Sequence, residues 1–327
     1  MNSSRPTIVD VAARAGVSKS LVSLALRGDG GVSAATRERI VRAAAEIGYR
    51  SNALARALRQ HRTMLLGVVV ASLDNPYHTE VVESVERAAE PHGLSVLLAH
   101  GARKAGRMAE RIDALGDLNV DGLIVVSSWA APELLQAAAR RAPVVMVGRS
   151  LEPVAGIDSV NNDDEHGAAL AVDHLVAAGH ERIAHLTSST RPAGLARRAG
   201  YEAAMARHGL ADRARVIERG RDEPAGPGLD AALEAGCSAI FARNDVEADD
   251  VLNHAWDRGI AVPEGLAVVG YDDSALALRA RPRLTSVHQP RAEMGELAVD
   301  LLHERWAGRT TDRHEVLEPT LVIRAST

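Results

Sequence analysis

The hydrophobic period of the chain changes near residue 63. Before that point apolar positions recur at three- and four-residue spacing. Beyond it, short unbroken runs of Val, Ile and Leu alternate with amphipathic stretches, so the two parts predict different architectures. In the first part, residues 8–27 (IVDVAARAGVSKSLVSLALR) read as two short helices joined by a tight turn. Val9, Val11, Ala12 and Ala15 precede a break at Gly16, where only glycine enters a left-handed turn without steric cost. Val17 can fill the angle between the helices, and Ser18 offers a hydroxyl to cap the second. In that second helix Val22, Ala25 and Leu26 share one face. Lys19, Ser20, Ser23, Leu24 and Arg27 occupy the other, which is polar and basic with one apolar member. Ser33 is placed to cap a third helix over 34–47, with Ile40, Ala44 and Ile47 as its core stripe and Gly48 as its stop. The spacing fits an αα-hairpin in a helical core. It also fits a helix-turn-helix whose second helix can lie in a DNA major groove.

Charge separates these readings. Residues 1–62 hold eleven Lys and Arg against four Asp and Glu, a net of +7, while the remainder carries 27 against 39, a net of −12. A basic head on an acidic body is the arrangement of a polyanion-binding module joined to something else. We read the head as binding double-stranded DNA. The segment 50–62 (RSNALARALRQHR) continues the basic character, with Ala53, Leu54, Ala57 and Leu58 on one side. It is too short for a stable free helix in water, so it is expected to fold only against a partner or to serve as a plain linker.

From residue 64 the runs MLLGVVV, LSVLLAH, DGLIVVS, PVVMVG and IDSVNN predict strands, with helices between them over 79–92, 107–118 and 132–141. After Asn162 the alternation restarts: a helix over 165–178, strand RIAHLT, a helix over 196–208, strand CSAIFA, a helix over 246–258 and strand LAVVGYDD. LTSVHQ, a helix over 291–307 and a final strand pair near HEVLEPTLVIR complete the pattern. Such alternation predicts α/β units with parallel sheets covered on both faces. Two similar halves in succession predict two lobes with a cleft between them. In open α/β sheets, ligands bind beyond the carboxyl ends of the strands. There the sequence supplies Asp74, Asn75, Tyr77 and His78, then Ser127, Ser128, Trp129 and Arg149, then Arg191, Arg197, Asn244, Asp245, Asp272 and Asp273. Carboxylates, amides and arginines from both halves suit a small polar ligand such as a sugar or nucleobase.

Other chemistries find little support. The lone Cys237 allows no internal disulfide and no cysteine-held zinc. The acidic run 162–166 (NDDEH) is better placed to cap a helix than to bind metal, and His174, His180 and His185 share no helical face. No cofactor is implied. Phosphate-cradling loops, nucleophile elbows and zinc-protease motifs are missing, so no catalytic residue is assigned and the chain is not expected to be an enzyme. No signal-type apolar segment opens the chain and no run reaches membrane-spanning length, which predicts a cytoplasmic protein that neither enters nor anchors to a membrane.

Along its whole length the sequence resembles the lactose-repressor (LacI/GalR) family of bacterial transcription regulators. DVAARAGVS looks like that family's headpiece and SNALARAL like its hinge helix. GVVVASLDNPYH, DGLIVVSS, PVVMVGR, HLVAAGHERIAHL, RRAGYEAAM, SAIFARND, VPEGLAVVGYDD, LTSVHQP and MGELAVDLL follow in the family's order. The resemblance implies an all-α headpiece over 1–50, a hinge over 51–62, and a two-lobed core over 63–327 like the type I periplasmic sugar-binding proteins. Lobe 1 would take 63–162 plus 289–322, and lobe 2 would take 163–288 plus the C-terminal end. DNA contacts are implied for Thr7, Ser18, Lys19, Ser20, Leu21, Ser23, Leu24 and Arg27. In the hinge they are implied for Asn52, Ala55, Arg56 and Leu58, the last resembling a leucine wedge that kinks the minor groove. Contacts to a small-molecule effector are implied for Tyr77, His78, Ser127, Trp129, Arg149, Asp163, Arg191, Arg197, Asn244 and Asp272.

The family pattern implies a homodimer on a near-palindromic operator. No leucine heptad follows the last strand, so a dimer is expected and a tail-built tetramer is not. Leu24 stands where relatives often carry Arg, Ser51 replaces a common Pro, and residues 221–228 (RDEPAGPG) offer no ring to stack on a sugar. A transport-associated binding protein would have no use for the basic head. An enzyme on a two-lobed scaffold would need catalytic groups that do not stand out. A repressor-type regulator accounts for both parts of the chain.

Overall fold

The computed structural model describes residues 6–27, 30–49, 62–126, 130–220 and 223–327. The expected hinge therefore lies outside the described residues, except for Arg62. The chain forms two compact units, Met1–Thr63 and Met64–Thr327.

The first unit is three helices: α1 (Ile8–Ala15), α2 (Lys19–Arg27) and α3 (Ala34–Glu46). Thr7 opens α1 with a reciprocal cap, its backbone N and hydroxyl both donating to Asp10 Oδ2 at 2.7 and 2.8 Å. Gly16 ends α1 in the left-handed conformation at φ 65°. Ser18 Oγ accepts from Leu21 N at 3.2 Å, and Ser33 Oγ accepts from Thr36 N at 3.3 Å. The core is small: Val11, Ala12 and Ala15 meet Val22 and Ala25 of α2 and Ile40, Ala43 and Ala44 of α3. Alanine at five of these eight positions lets the helices approach closely. Arg37 Nη1 donates to Ala25 O at 2.9 Å, satisfying a carbonyl near the end of α2.

The second unit has two six-stranded sheets. Sheet one contains β1 (Leu65–Val70), β2 (Ser95–His100), β3 (Gly122–Val126), β4 (Val144–Val147), β5 (Asp158–Asn162) and β11 (His314–Leu317) in the order β11-β5-β4-β3-β1-β2, all parallel. Sheet two contains β6 (Ile183–Thr187), β7 (Arg215–Glu218), β8 (Ala239–Ala242), β9 (Ala267–Asp272), β10 (Thr285–His288) and β12 (Thr320–Val322) in the order β12-β10-β9-β8-β6-β7. In sheet two only β12 is antiparallel. Central strands such as β3 and β4 are buried throughout, whereas the edge strands β2 and β7 are partly exposed. Continuous apolar runs are what a strand covered on both faces needs.

Helices α4 (Pro76–Ala89), α5 (Ala105–Asp117), α6 (Pro132–Ala139) and α12 (Arg291–Trp306) cover sheet one. Helices α7 (Asp164–Ala177), α8 (Pro192–Arg207), α9 (Gly226–Glu234), α10 (Asp245–Asp257) and the short α11 (Ala275–Arg279) cover sheet two. In each lobe one helix pair crosses at a glycine. A Cβ on Gly295 of α12 would lie 1.8 Å from Ser84 Oγ and 2.8 Å from Val85 N of α4. A Cβ on Gly200 of α8 would lie 2.3 Å from the Glu165 carbonyl oxygen of α7. No described helix is long and apolar enough to cross a membrane.

The C-terminal strands depart from the expected boundary. Thr320–Val322, expected in lobe 1 and paired with its predecessor, instead runs antiparallel to β10 in sheet two. His314–Leu317 pairs with β5 in sheet one. Pro319 has no N–H for a ladder, so the strand breaks there and the chain changes lobes. Three elements, β7, α9 and the five-residue α11, lie outside the expected alternation. The first is a four-residue edge strand with charged ends, the second opens on Gly-Pro-Gly, which reads as a turn, and the third is barely more than one helical turn.

Asp158 is the most heavily engaged carboxylate of lobe 1. Buried at the start of β5, it accepts from Arg305 at 2.7 and 2.8 Å, from Arg309 at 2.8 and 3.0 Å, and from Arg313 N at 2.8 Å. Burial alone would raise its pKa, but the hydrogen bonds from Arg305, Arg309 and Arg313 N prevail and hold it near 2. Asp158→Ala should destabilise the core by about 3 kcal/mol in denaturant melts, since it strands two guanidiniums. An unfolded Asp titrates near ~3.9, so this stabilisation is complete above about pH 5 and fades as pH falls from about 4 to 2. The wild type should lose stability through that window more steeply than Asp158→Asn. At the helix crossing, Gly295→Ala should cost about 1–3 kcal/mol through overpacking. Adding Ser84→Gly should recover part of that loss, and a melt showing no recovery would reject this account of the crossing.

Candidate functional site

In the first unit, the side of α2 turned away from the core carries most of the residues singled out from sequence, while Leu21 packs against the edge of the core. Ser18, Lys19 and Ser20 are exposed, and Leu21, Ser23 and Leu24 are half-buried. Thr7 is exposed at the head of α1, where its side chain is engaged with Asp10. The backbone of Arg27 closes α2, and its side chain lies outside the described residues, as do Asn52, Ala55, Arg56 and Leu58. The core residues Val22 and Ala25 fix the rotation of α2, so its polar face points outward by default.

In the second unit, a cavity of about 230 Å³ opens where the carboxyl ends of the strands of both sheets meet. Lobe 1 contributes Ala71, Asn75, Tyr77, His78, Arg103 and Arg149, and α12 contributes Met294. Asn162 at the end of β5 and the residues of lobe 2 form the opposite wall. These include Asp164, Ser189, Arg191, Arg197, Arg219, Arg243, Asn244, Glu247 and Asp272, with Gln289 from the crossover.

Four helices begin at this cavity, α7 through the lining residue Asp164 and three others. Asn75 caps α4, its Oδ1 accepting from Tyr77 N at 3.1 Å. Arg191 stands at the cap position of α8 and Asn244 at that of α10, where its Oδ1 accepts from Glu247 N at 3.0 Å. Helix N-termini are electropositive, so anions and acceptor oxygens are favoured there. His78 Nδ1 lies 2.9 Å from Ser72 O. A carbonyl only accepts, so Nδ1 carries the proton and Nε2 is left as an acceptor. Burial, with a smaller opposing effect from the Ser72 hydrogen bond, lowers the His78 pKa to about 4, so the ring is neutral at physiological pH. Burial raises the Tyr77 phenol well above its ordinary range. Its hydroxyl stays protonated, 3.7 Å from Met294 Sδ.

On the lobe 2 wall Arg197 is buried, its guanidinium 3.6 Å from the centre of the Tyr271 ring. Its Nε donates to Asp164 Oδ1 at 2.8 Å and its Nη1 to Arg243 O at 2.7 Å. Burial works against its charge, but Asp164, Tyr271 and Asp272 outweigh it and keep it protonated. Asp272 ends β9 at φ 105°, followed by Asp273 at φ 50°, a backbone that non-glycine residues adopt at a cost of about 1–3 kcal/mol. The turn is over-determined. Arg291 donates to both Asp272 O and Asp273 O, Gln289 Nε2 donates to Asp272 Oδ1 at 2.6 Å, and Arg324 donates to Asp273 Oδ1 at 2.5 Å. Burial raises the Asp272 pKa, with Arg197 and Arg291 opposing. Burial and the nearby Asp272 likewise raise that of Asp245, which is clasped by Ser274 and Ser286. Side chains at this wall also join the lobes: Asn75 Nδ2 lies 3.5 Å from Asp272 Oδ2, and Glu80 of α4 accepts from Ala275 N at 3.0 Å. Arg291 of α12, paired with Glu80 at 2.8 Å within lobe 1, donates to the Asp272 and Asp273 carbonyls.

Of the ten sequence-assigned effector residues, Tyr77, His78, Arg149, Arg191, Arg197, Asn244 and Asp272 line this one cavity. Ser127 and Trp129 lie outside the described residues. Asp163 does not reach the wall. Its carboxylate caps α7, accepting from His166 N at 3.0 Å, and the adjacent Asp164 turns inward to Arg197 instead. One step along the chain at a helix start rotates a side chain by about 100°, which is why neighbouring acids divide these roles. Sequence reasoning also passed over Arg103, Arg219, Arg243, Glu247 and Gln289. Arg243 and Glu247 flank the assigned Asn244 and could have been found as its neighbours. Arg219 follows the unforeseen β7 and gave no signal.

The comparisons agree with this two-part organisation. Residues 7–52 match the model of bacterial regulatory proteins of the lacI family, and residues 172–327 match that of a periplasmic binding protein-like domain. The chain is 34% identical over 329 residues to the ribose operon repressor of Escherichia coli (strain K12), covering 98% of this chain and 99% of that one. It is 37% identical over 297 residues to the HTH-type transcriptional regulator AscG of the same organism, covering 88% of each. Among solved structures, a lac repressor dimer bound to operator and the anti-inducer ONPF superposes with a TM-score of 0.86 at 27% identity, covering 99% of each chain. The complex of the transcriptional regulator CelR with cellobiose superposes at 0.71 with 33% identity, covering 99% of this chain and 100% of that one. A helix-turn-helix unit, a cavity at the strand ends of two lobes and full-length relatives that are transcriptional regulators lead to one conclusion: the chain belongs to the lacI family of bacterial regulatory proteins.

Proposed function

We propose that this protein is a repressor that binds a near-palindromic operator as a homodimer and is controlled by a small polar metabolite in the cavity between its lobes. The single observation that carries the DNA half is the outward face of α2, where Ser18, Lys19 and Ser20 stand exposed on a helix whose rotation is fixed by Val22 and Ala25. Such a helix, presented from a unit of net +7, is equipped to enter a major groove. Relatives named as an operon repressor and as a repressor bound to operator support the same reading.

The cavity supports the effector half. Polar groups from both lobes converge on it, and Glu80, Arg291 and Asn75 of lobe 1 reach Ala275 N, the Asp272 and Asp273 carbonyls and the Asp272 carboxylate of lobe 2 beside it. A ligand that contacts both walls changes the free energy of the lobe arrangement. Coupling of about 1–3 kcal/mol would change operator affinity by roughly 5–150-fold.

The test is selection of bound duplexes from fragmented source DNA by the purified full chain, at two salt concentrations. Recovery of a palindromic site bound by a dimer is expected; absence of any enrichment by a folded protein would overturn the operator reading. Leu21 and Leu24 are proposed to meet thymine methyl groups in place of an arginine–guanine contact. Leu24→Arg should therefore shift the preferred base at one half-site position toward guanine, by about 1–3 kcal/mol of discrimination. An unchanged base preference would reject that assignment.

A further inference from the structure

The cavity wall is unusual in its balance of donors and acceptors. Six guanidiniums line it against three carboxylates, and each carboxylate is already engaged. Asp164 takes Arg197, and Asp272 takes the amide of Gln289. Glu247, fully buried, takes two guanidiniums at once: Arg219 Nε at 2.6 Å and Arg243 Nε at 3.3 Å. At the rim, Arg103 and Arg149 are matched by Asp74 and Glu165 from outside the wall, so they add little net charge. The Arg219–Glu247–Arg243 group is different, with two positive charges sharing one negative charge.

Both arginines meet Glu247 through Nε, which turns their terminal nitrogens elsewhere. Arg219 Nη1 donates to Glu223 O. Among the described residues, no protein acceptor meets Arg219 Nη2 or either Nη of Arg243. The N-terminus of α10 brings further positive potential to the same place, through Val246 and Glu247 in its first turn. The field is felt nearby: His185, buried on β6, has its pKa lowered to about 3, mainly by burial and additionally by Arg197, Arg243 and Arg198.

A neutral sugar presents hydroxyls that need acceptors and an apolar face that needs a ring. Here the carboxylates are shared with guanidiniums and an amide, His78 Nε2 is an open acceptor, and the only aromatic rings on the described wall are Tyr77 and His78, so open donors outweigh open acceptors. Open guanidinium forks complement a group with several acceptor oxygens in one plane or one tetrahedron. We infer that the ligand of this cavity is an anion of monosaccharide size, held through a phosphate or a carboxylate by Arg219 and Arg243. This rests on the cavity being the effector site, and it narrows the effector to a sugar phosphate or a sugar acid.

The experiment is calorimetric titration of the full chain, at fixed ionic strength, with glucose 6-phosphate, ribose 5-phosphate, gluconate and glucuronate against glucose and ribose. At least one anionic class should bind roughly ten-fold or more tightly than its neutral parent, the size of one charge-assisted hydrogen bond. Phosphate and carboxylate arms distinguish the two sources. Arg243→Gln and Arg219→Gln should each reduce that preference roughly ten-fold. Arg243→Lys keeps the charge beside Glu247 and should fold even if Arg243→Gln does not, while losing the fork and much of the affinity. Neutral parents that bind as tightly as the anions, anions that all fail to bind the folded protein, or Arg243→Lys with unchanged affinity would each overturn the inference. Operator binding by the same preparation is scored separately. A chain that binds anions but no DNA would overturn the regulator reading alone, and one that binds DNA but prefers neutral sugars would overturn this inference alone.

Discussion

The architecture of the cavity depends on how Arg197 is kept charged while buried. A lone guanidinium in this position would be prohibitively costly, and three elements are arranged to prevent that. Asp164 at the start of α7 supplies the counter-charge, the Arg243 carbonyl at the end of β8 supplies an acceptor, and Tyr271 on β9 supplies a ring face. Arg197 itself comes from α8, so one side chain fixes the mutual positions of two helices and two strand ends. The wall that faces the cavity is the outer surface of this arrangement. Gly200, one turn further along α8, allows the helix close enough to the α7 backbone for the pairing to form.

The loop after β9 extends the same logic across the lobes. The positive φ angles of Asp272 and Asp273 persist because Arg291, Gln289 and Arg324 hold both their carbonyls and carboxylates. Arg291 comes from α12 of the first lobe, where Glu80 holds it, so its grip on the strained turn is itself an interlobe contact. A ligand touching Asp272 would therefore act on the residue that ties the lobes together. The headpiece works by simpler means. Its core is mostly alanine and valine, and it relies on caps at Thr7, Ser18 and Ser33 to define helices that are short by any measure.

The sequence by itself determined the two-part organisation, the three headpiece helices with the caps at Ser18 and Ser33, and most of the strands. These are local matters: a glycine where φ must be positive, a hydroxyl three residues before an amide, and apolar runs where both faces of a strand are covered. Motif placement also brought seven effector candidates to one cavity, because residues following parallel strands end on the same edge of a sheet. Only the tertiary structure decided the rest. It separated Asp163, a cap, from Asp164, a partner of Arg197, because adjacent positions at a helix start face different directions. It sent β12 to the second sheet, a choice made by pairing partners far apart in the chain. And it joined Arg219, from beyond an edge strand with only Val216 and Ile217 as apolar signature, to Glu247 and Arg243, a charge balance that exists only once three separate elements have packed together.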